Sequence, residues 1–187
     1  MSKLVLGVLL GTLVAATAAL ADKSIDHQNA CTDKVVNLTA AFRAKDWPAV
    51  ERLADVYLRE CRDVADSDSI ANTDDFKATS QIERGMYAAA LKTSEACIEA
   101  VYRDPGCHVR RAEALARLGR TTEARAEFDR AVKVADAAIT SYSQRLESRG
   151  PERSELDRAE RFRLESALDR ARSVKELAIA WLERGLP

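Results

Sequence analysis

Two residue types in this chain could do chemistry by their nature, and both are scarce. Four cysteines stand at Cys31, Cys61, Cys97 and Cys107. A thiol can pair as a disulfide, ligate a metal or attack an electrophile. An even count invites pairing in an oxidising compartment, and four cysteines allow three connectivities. The two histidines, His27 and His108, stand in no C-x-x-C or H-E-x-x-H spacing, so no metal site is expected. His108 adjoins Cys107, which is not a ligand set, and a structural or solvent-exposed role is expected for both rings. His27 falls in a segment expected to be mobile. No G-x-x-x-x-G-K-S/T, G-x-G-x-x-G or G-x-S-x-G occurs, and the 7 glycines leave little material for a phosphate cradle. No acid–base or nucleophile pair stands out. No catalytic residue, no metal ligand and no cofactor is therefore expected, and the chain does not read as an enzyme. Asn37-Leu38-Thr39 matches the glycosylation sequon but falls inside a predicted helix.

Whether the thiols meet an oxidising compartment depends on the first 21 residues. Lys3 gives a short positive start, Leu4 to Leu20 carries no charge, and Ala19-Leu20-Ala21 is a small-x-small site before Asp22. This order is that of a secretory signal peptide. The rival is an uncleaved membrane anchor, for which the apolar run is at the short end of the roughly 20 residues that span a bilayer. The small residues before Asp22 favour cleavage, and no cysteine stands there to carry a lipid. The expected location is periplasmic or secreted, with no membrane insertion after cleavage. Residues 22–187 then form one domain. The formal net charge of −1 gives no broad surface for nucleic acid or membrane.

The elements that must place the cysteines are helices. Ala, Leu, Glu and Arg dominate, only 5% of residues are aromatic, and no alternating β-branched run predicts a strand. Residues 22–31 read as a flexible start. Helices are predicted over about 32–44, 46–61, 75–84, 87–102, 107–118 and 121–148, with a last one over about 152–183. Asp46 caps the second and Pro48 fits its first turn. Asp63 to Asp75 reads as a linker of turn and cap residues. Asp104-Pro105-Gly106 and Gly150-Pro151 read as breaks, Gly119 as a left-handed helix end, and Thr121 or Thr122 as the next cap. Leu164, Leu168, Ala171, Val174, Ala178 and Leu182 give the last helix an apolar stripe, so residues 136–187 are expected to form a long antiparallel cap.

A pattern also recurs. Gly85, Ala90 and Cys97 return 34 positions later as Gly119, Ala124 and Ala131. The second copy is set in Ala112-x-x-Leu115-x-x-Leu118-Gly119 and Glu123-Ala124-x-x-x-Phe128-x-x-Ala131. These residues resemble the tetratricopeptide repeat (TPR), a helix–turn–helix unit of that length. Lys45-Asp46-Trp47-x-x-Val50 stands where a first, degenerate copy would begin. The resemblance covers residues 32–135, about three repeats, and implies an all-α array of antiparallel hairpins. It implies non-catalytic binding of a protein or peptide on a concave face, as a scaffold or accessory subunit in a bacterial envelope. Its register places Val35, Thr39, Phe42 and Arg43, then Thr79, Ile82 and Glu83, then Val109, Glu113, Ala116 and Arg117 on that face. Its helix order implies the pairs Cys31–Cys61 and Cys97–Cys107, with a free core thiol at Cys97 as the alternative. A homo-oligomer formed through the C-terminal hairpin is the rival use of the fold.

Overall fold

The computed structural model describes residues 26–149 and 155–185, and over these the chain is helical without strands. The expected leader, its cleavage site and the Gly150-Pro151 break lie outside the described residues. The helices are α1 (26–43), α2 (Trp47–Glu60), α3 (Ser67–Glu83), α4 (Tyr87–Ala100), α5 (Pro105–Arg117), α6 (Thr121–Glu147) and α7 (Glu155–Arg184).

Three of the turns are built alike. After α1, α3 and α5 the chain enters the left-handed region at Lys45, Gly85 and Gly119, with φ of 55°, 74° and 75°. The next amide donates to a carbonyl five residues back in each case: Asp46 to Ala41, Met86 to Gln81, and Arg120 to Leu115, at 3.0, 2.7 and 2.9 Å. This closure satisfies helix-end carbonyls that would otherwise lack partners. Glycine reaches that backbone freely, whereas Lys45 is strained by its Cβ.

Aspartate caps explain the starts of α2, α3 and α5. The carboxylates of Asp46, Asp66 and Asp104 accept from the amides of Ala49, Ser69 and Cys107. Pro48 and Pro105 occupy first turns, so Pro105 opens α5 as well as breaking the preceding loop. The N-cap position of α6 is Arg120, not Thr121 or Thr122; the Arg120 side chain bonds no first-turn amide and instead grips Glu123 at 2.7 Å.

Two boundaries differ from the sequence reading. α1 is already helical at residue 26, so most of the expected flexible start is ordered. His27 there lies 3.3 Å from Asp63. α3 begins at Ser67, eight residues before the expected Asp75, and absorbs most of the expected linker. The polar run Asn72-Thr73-Asp74-Asp75 lies inside this helix. The Thr73 and Thr79 hydroxyls donate to the carbonyls of Ser69 and Asp75, both at 2.8 Å. Asp75 finds its partners in later helices.

The core is a chain of small clusters between successive hairpins. Leu38, Val50 and Ala54 meet Phe76 of α3, and Phe42 stacks on Phe76 with ring centroids 4.1 Å apart. The Ser80 hydroxyl donates to the Trp47 carbonyl, tying α3 to the start of α2. The repeated positions Ala90, Ala112, Leu115, Ala124, Phe128 and Ala131 are fully buried, because helices approach closely there. Cys31 pairs with Cys61 at the open end of α1 and α2, with α-carbons 5.7 Å apart. Cys97 pairs with Cys107 across the α4–α5 loop, with α-carbons 5.9 Å apart.

α6 and α7 form the antiparallel C-terminal hairpin. Arg149 pairs with Glu160, Lys175 with Asp136 at 2.6 Å, and Trp181 stacks on Phe128 at 5.5 Å. The 20 residues of α6 from Phe128 to Glu147 span about 30 Å at 1.5 Å per residue. Leu164, Leu168, Ala171, Val174 and Ala178 are buried along the seam.

Candidate functional site

α1, α3 and α5 contact one another in a row, through Phe42–Phe76 and through packing of α3 on α5. α2, α4 and α6 back that row. The inner row is where a concave binding face would lie, and α7 decides how much of it is open.

α7 lies along α5. Val109 and Ala112 pack against Val174 and Ala178, with Leu177, Trp181 and Leu182 alongside. The Trp181 indole N–H donates to Glu113 at 3.1 Å, and the Arg117 guanidinium lies 5.9 Å from the Trp181 ring. Val109 and Glu113 are therefore buried under α7, and Ala116 is buried as well, so none of the three forms an open third of the groove. Ala116 packs with Leu115 and Ala124. Arg117 alone of that set stays exposed. The apolar stripe of α7 needs burial, and the inner face of α5 supplies the surface.

A buried charge cluster fixes α7 in place. Asp75 of α3 is held by Arg110 of α5 at 2.8 Å and by Arg170 of α7 at 3.5 Å. Arg110 also grips Glu113 at 2.6 Å, and Arg170 reaches Asp104 at 3.2 Å. Burial pushes the Asp75 carboxyl up, but the two guanidinium charges more than reverse this and hold it below the usual carboxylate range. Asp104 is pushed up by burial, which Arg170 offsets only in part. A Cβ at Gly106 would lie 2.9 Å from both Arg170 Nη2 and Asp104 Oδ1, so glycine permits this approach. Nothing in local sequence signals the cluster, because its members come from three helices and one loop.

His108 is also structural. Its ring is buried, with Nδ1 2.6 Å from Glu127 and Nε2 3.1 Å from the Tyr102 carbonyl. Glu127 is shared with Arg111 and Arg130 at 2.6 and 3.1 Å. Burial raises the Glu127 carboxyl, and its His108 bond and the arginines bring it below the usual range. Among the described residues no group of three His, Cys, Asp or Glu side chains is arranged to hold an ion.

On the first two hairpins the inner face is more open. Thr39, Thr79 and Ile82 are half-buried, and Arg43 and Glu83 are exposed. Phe42 and Val35 serve the packing: Phe42 against Phe76 and Trp47, Val35 against the Cys31–Cys61 cluster.

The structure resembles a solved TPR domain, that of Arabidopsis OM64, with a TM-score of 0.52. The match covers 74% of this chain and 96% of that domain, at 16% sequence identity. The fold is TPR-like. No family profile matches the chain, and no curated protein matches it in sequence. The TPR-like register accounts for the three equivalent turns and for the buried alanines at the close approaches between helices.

Beyond the inner face, two neighbouring depressions flank Tyr142 beside the C-terminal hairpin. One, of about 420 Å³, lies between the start of α3 and α7, with Phe162, Arg163 and Ser166 on its α7 wall. The other, of about 860 Å³, lies between the α4–α5 loop and the outer stripe of α6. Asp68, Asp104, Pro105 and Tyr142 border both. Burial, with the nearby Asp68 and Asp104 charges, raises the Tyr142 phenol above its ordinary range.

Proposed function

We propose that this chain is an exported, non-catalytic protein-binding module. Its partner docks on the inner face of α1 and α3, bordered by the C-terminal end of α7. The observation that carries this is the division of the inner row: α7 seals α5, while Thr39, Arg43, Thr79, Ile82 and Glu83 stay accessible on a rigid array. A preformed face loses little ordering entropy on binding. A TPR-like fold suits such a role, since stacked hairpins present a continuous surface. Export is supported by the leader pattern of residues 1–21 and by the Cys31–Cys61 and Cys97–Cys107 pairs, which favour an oxidising compartment. No described helix is long and apolar enough to cross a membrane. We place the chain in a bacterial periplasm or outside the cell, as a scaffold or accessory subunit of an envelope complex.

Site-specific photo-crosslinking from Thr79 and Ile82 in the native compartment tests this reading. One recurrent protein should be captured, and the pair Arg43→Glu and Glu83→Arg should abolish capture. That pair should leave thermal stability within about 0–1 kcal/mol, since exposed charges contribute little. Capture that survives the pair would refute the assignment of the face.

A second reading has an observation of its own. Phe162 is 70% exposed on α7, beside the smaller depression. Self-association through the hairpin would cover it. Light scattering of wild type and Phe162→Ser decides: a dimer lost in the variant favours this reading, and a monomer in both removes it.

A further inference from the structure

The larger depression has a charge pattern that the inner-face reading does not use. Its floor is apolar or small: Val101, Pro105, Val134, Ala137 and Ala138. Its rim carries Arg103, Arg130, Lys133 and Arg145 against Asp68 and Asp104. Both acids are not equally available, because Asp104 is engaged by Arg170. Of the cations, Arg130 shares Glu127, and Arg145 lies 4.0 Å from Glu160, which Arg149 holds more closely. Arg103 and Lys133 have no ion-pair partner among the described residues. The whole chain has a formal net charge of −1, so this cationic excess is local. Tyr102, 62% exposed, offers an aromatic wall beside Arg103.

From Arg130 to Arg145 the α6 wall runs about 22 Å at 1.5 Å per residue. A free phosphate or another small anion would use one rim charge and leave the floor wet. A nucleic-acid backbone would bring phosphates against Asp68. A polypeptide segment can cover the apolar floor and present carboxylates to both rims. We propose that this groove is a second docking site, distinct from the inner face, and that it takes an acidic segment of a partner protein whose apolar residues seat on Val134, Ala137 and Ala138. The proposal rests on the reading of the chain as a protein-binding module, not on the inner face being its main site.

The test uses the full chain after leader removal, with both disulfides formed. A random dodecapeptide library displayed on phage is panned against it, and enriched peptides are synthesised and titrated. Enriched sequences should combine at least two Asp or Glu with apolar residues. Their affinity should fall about ten-fold or more in Arg103→Glu with Lys133→Glu, and also in Ala137→Trp, which blocks the floor without changing charge. Affinity should also fall as salt is raised. Unchanged melting curves show that these exposed substitutions leave the fold intact. Absence of enrichment, enriched peptides without acidic residues, or binding that survives both variants overturns the proposal. Peptides lost only in the Arg43→Glu and Glu83→Arg pair overturn it while leaving the inner-face reading in place. Binding of phosphatidylglycerol vesicles that is lost in the Arg103 and Lys133 double variant reassigns the groove to a lipid surface and overturns it as well.

Discussion

Replacing Asp74 by Asn should stabilise this protein, and by an amount that depends on pH. Asp74 is buried in α3, and burial raises its carboxyl to about 6 from an ordinary 3.8, with Lys77 and Arg62 offsetting only part of the penalty. The folded state therefore holds the proton more tightly than the unfolded chain. Between these two values the folded state binds more protons, so this group's contribution to stability falls as pH rises. Above the folded value the cost is fully developed. The shift corresponds to about 3 kcal/mol at 1.36 kcal/mol per unit. Asn keeps the size and hydrogen-bonding capacity of the neutral acid but carries no charge. The variant should be about 3 kcal/mol more stable than wild type at pH 7, or about 6–12 °C higher in melting temperature for a chain of this size. At pH 5 the gap should shrink to about half of that, and by pH 4 it should have largely closed. Urea unfolding followed by circular dichroism at these pH values measures the difference directly, and other carboxylates cancel in the comparison. A gap that does not change with pH, or a wild type more stable at pH 7, would show that the Asp74 carboxylate is not penalised by burial as argued.

Lys45→Gly should stabilise by about 0.5–1 kcal/mol in thermal denaturation, because it relieves the left-handed strain that Gly85 and Gly119 avoid at the equivalent turns. Trp181→Ala removes the stack on Phe128 and the bond to Glu113, and should cost about 2–4 kcal/mol. Hydrogen exchange should then show lost protection in α7 with α1 to α4 still protected; equal loss throughout would mean that the hairpin and the array unfold as one. Cys31→Ala with Cys61→Ala opens a loop of 30 residues and should cost about 2–4 kcal/mol in chemical denaturation. No loss would mean that the packing of Val35 and Tyr57 suffices to hold the open end.

The elements that were legible in the sequence are those whose determinants are local. Asp46 with Pro48, and Gly85 and Gly119 at their left-handed turns, each settle a boundary within a few residues. The stripe from Leu164 to Leu182 declares a buried face by its spacing alone. The ordered small residues from Ala112 to Ala131 declare close helix packing, and their recurrence at 34 positions declares hairpins. The difference at the start of α3 has a local cause. Asn72 to Asp75 reads as a turn because isolated Asn, Thr and Asp prefer to bond nearby backbone. In the folded chain Thr73 does so within the helix, and Asp75 is buried because Arg110 and Arg170 arrive from 35 and 95 positions away. The same holds for the site. Register could place Val109, Glu113 and Ala116 on the inner row, but not reveal that α7 would lie on Val109 and Glu113. That depends on where a long apolar stripe finds surface to bury, which is settled by packing between helices far apart in sequence. The groove beside α6 has a similar origin: Arg103, Lys133 and Arg145 face one space only because the C-terminal hairpin stands out from the TPR-like body beside the α4–α5 loop. Periodicity fixes which face of a helix is apolar, but which other helix covers that face is a property of the assembled core.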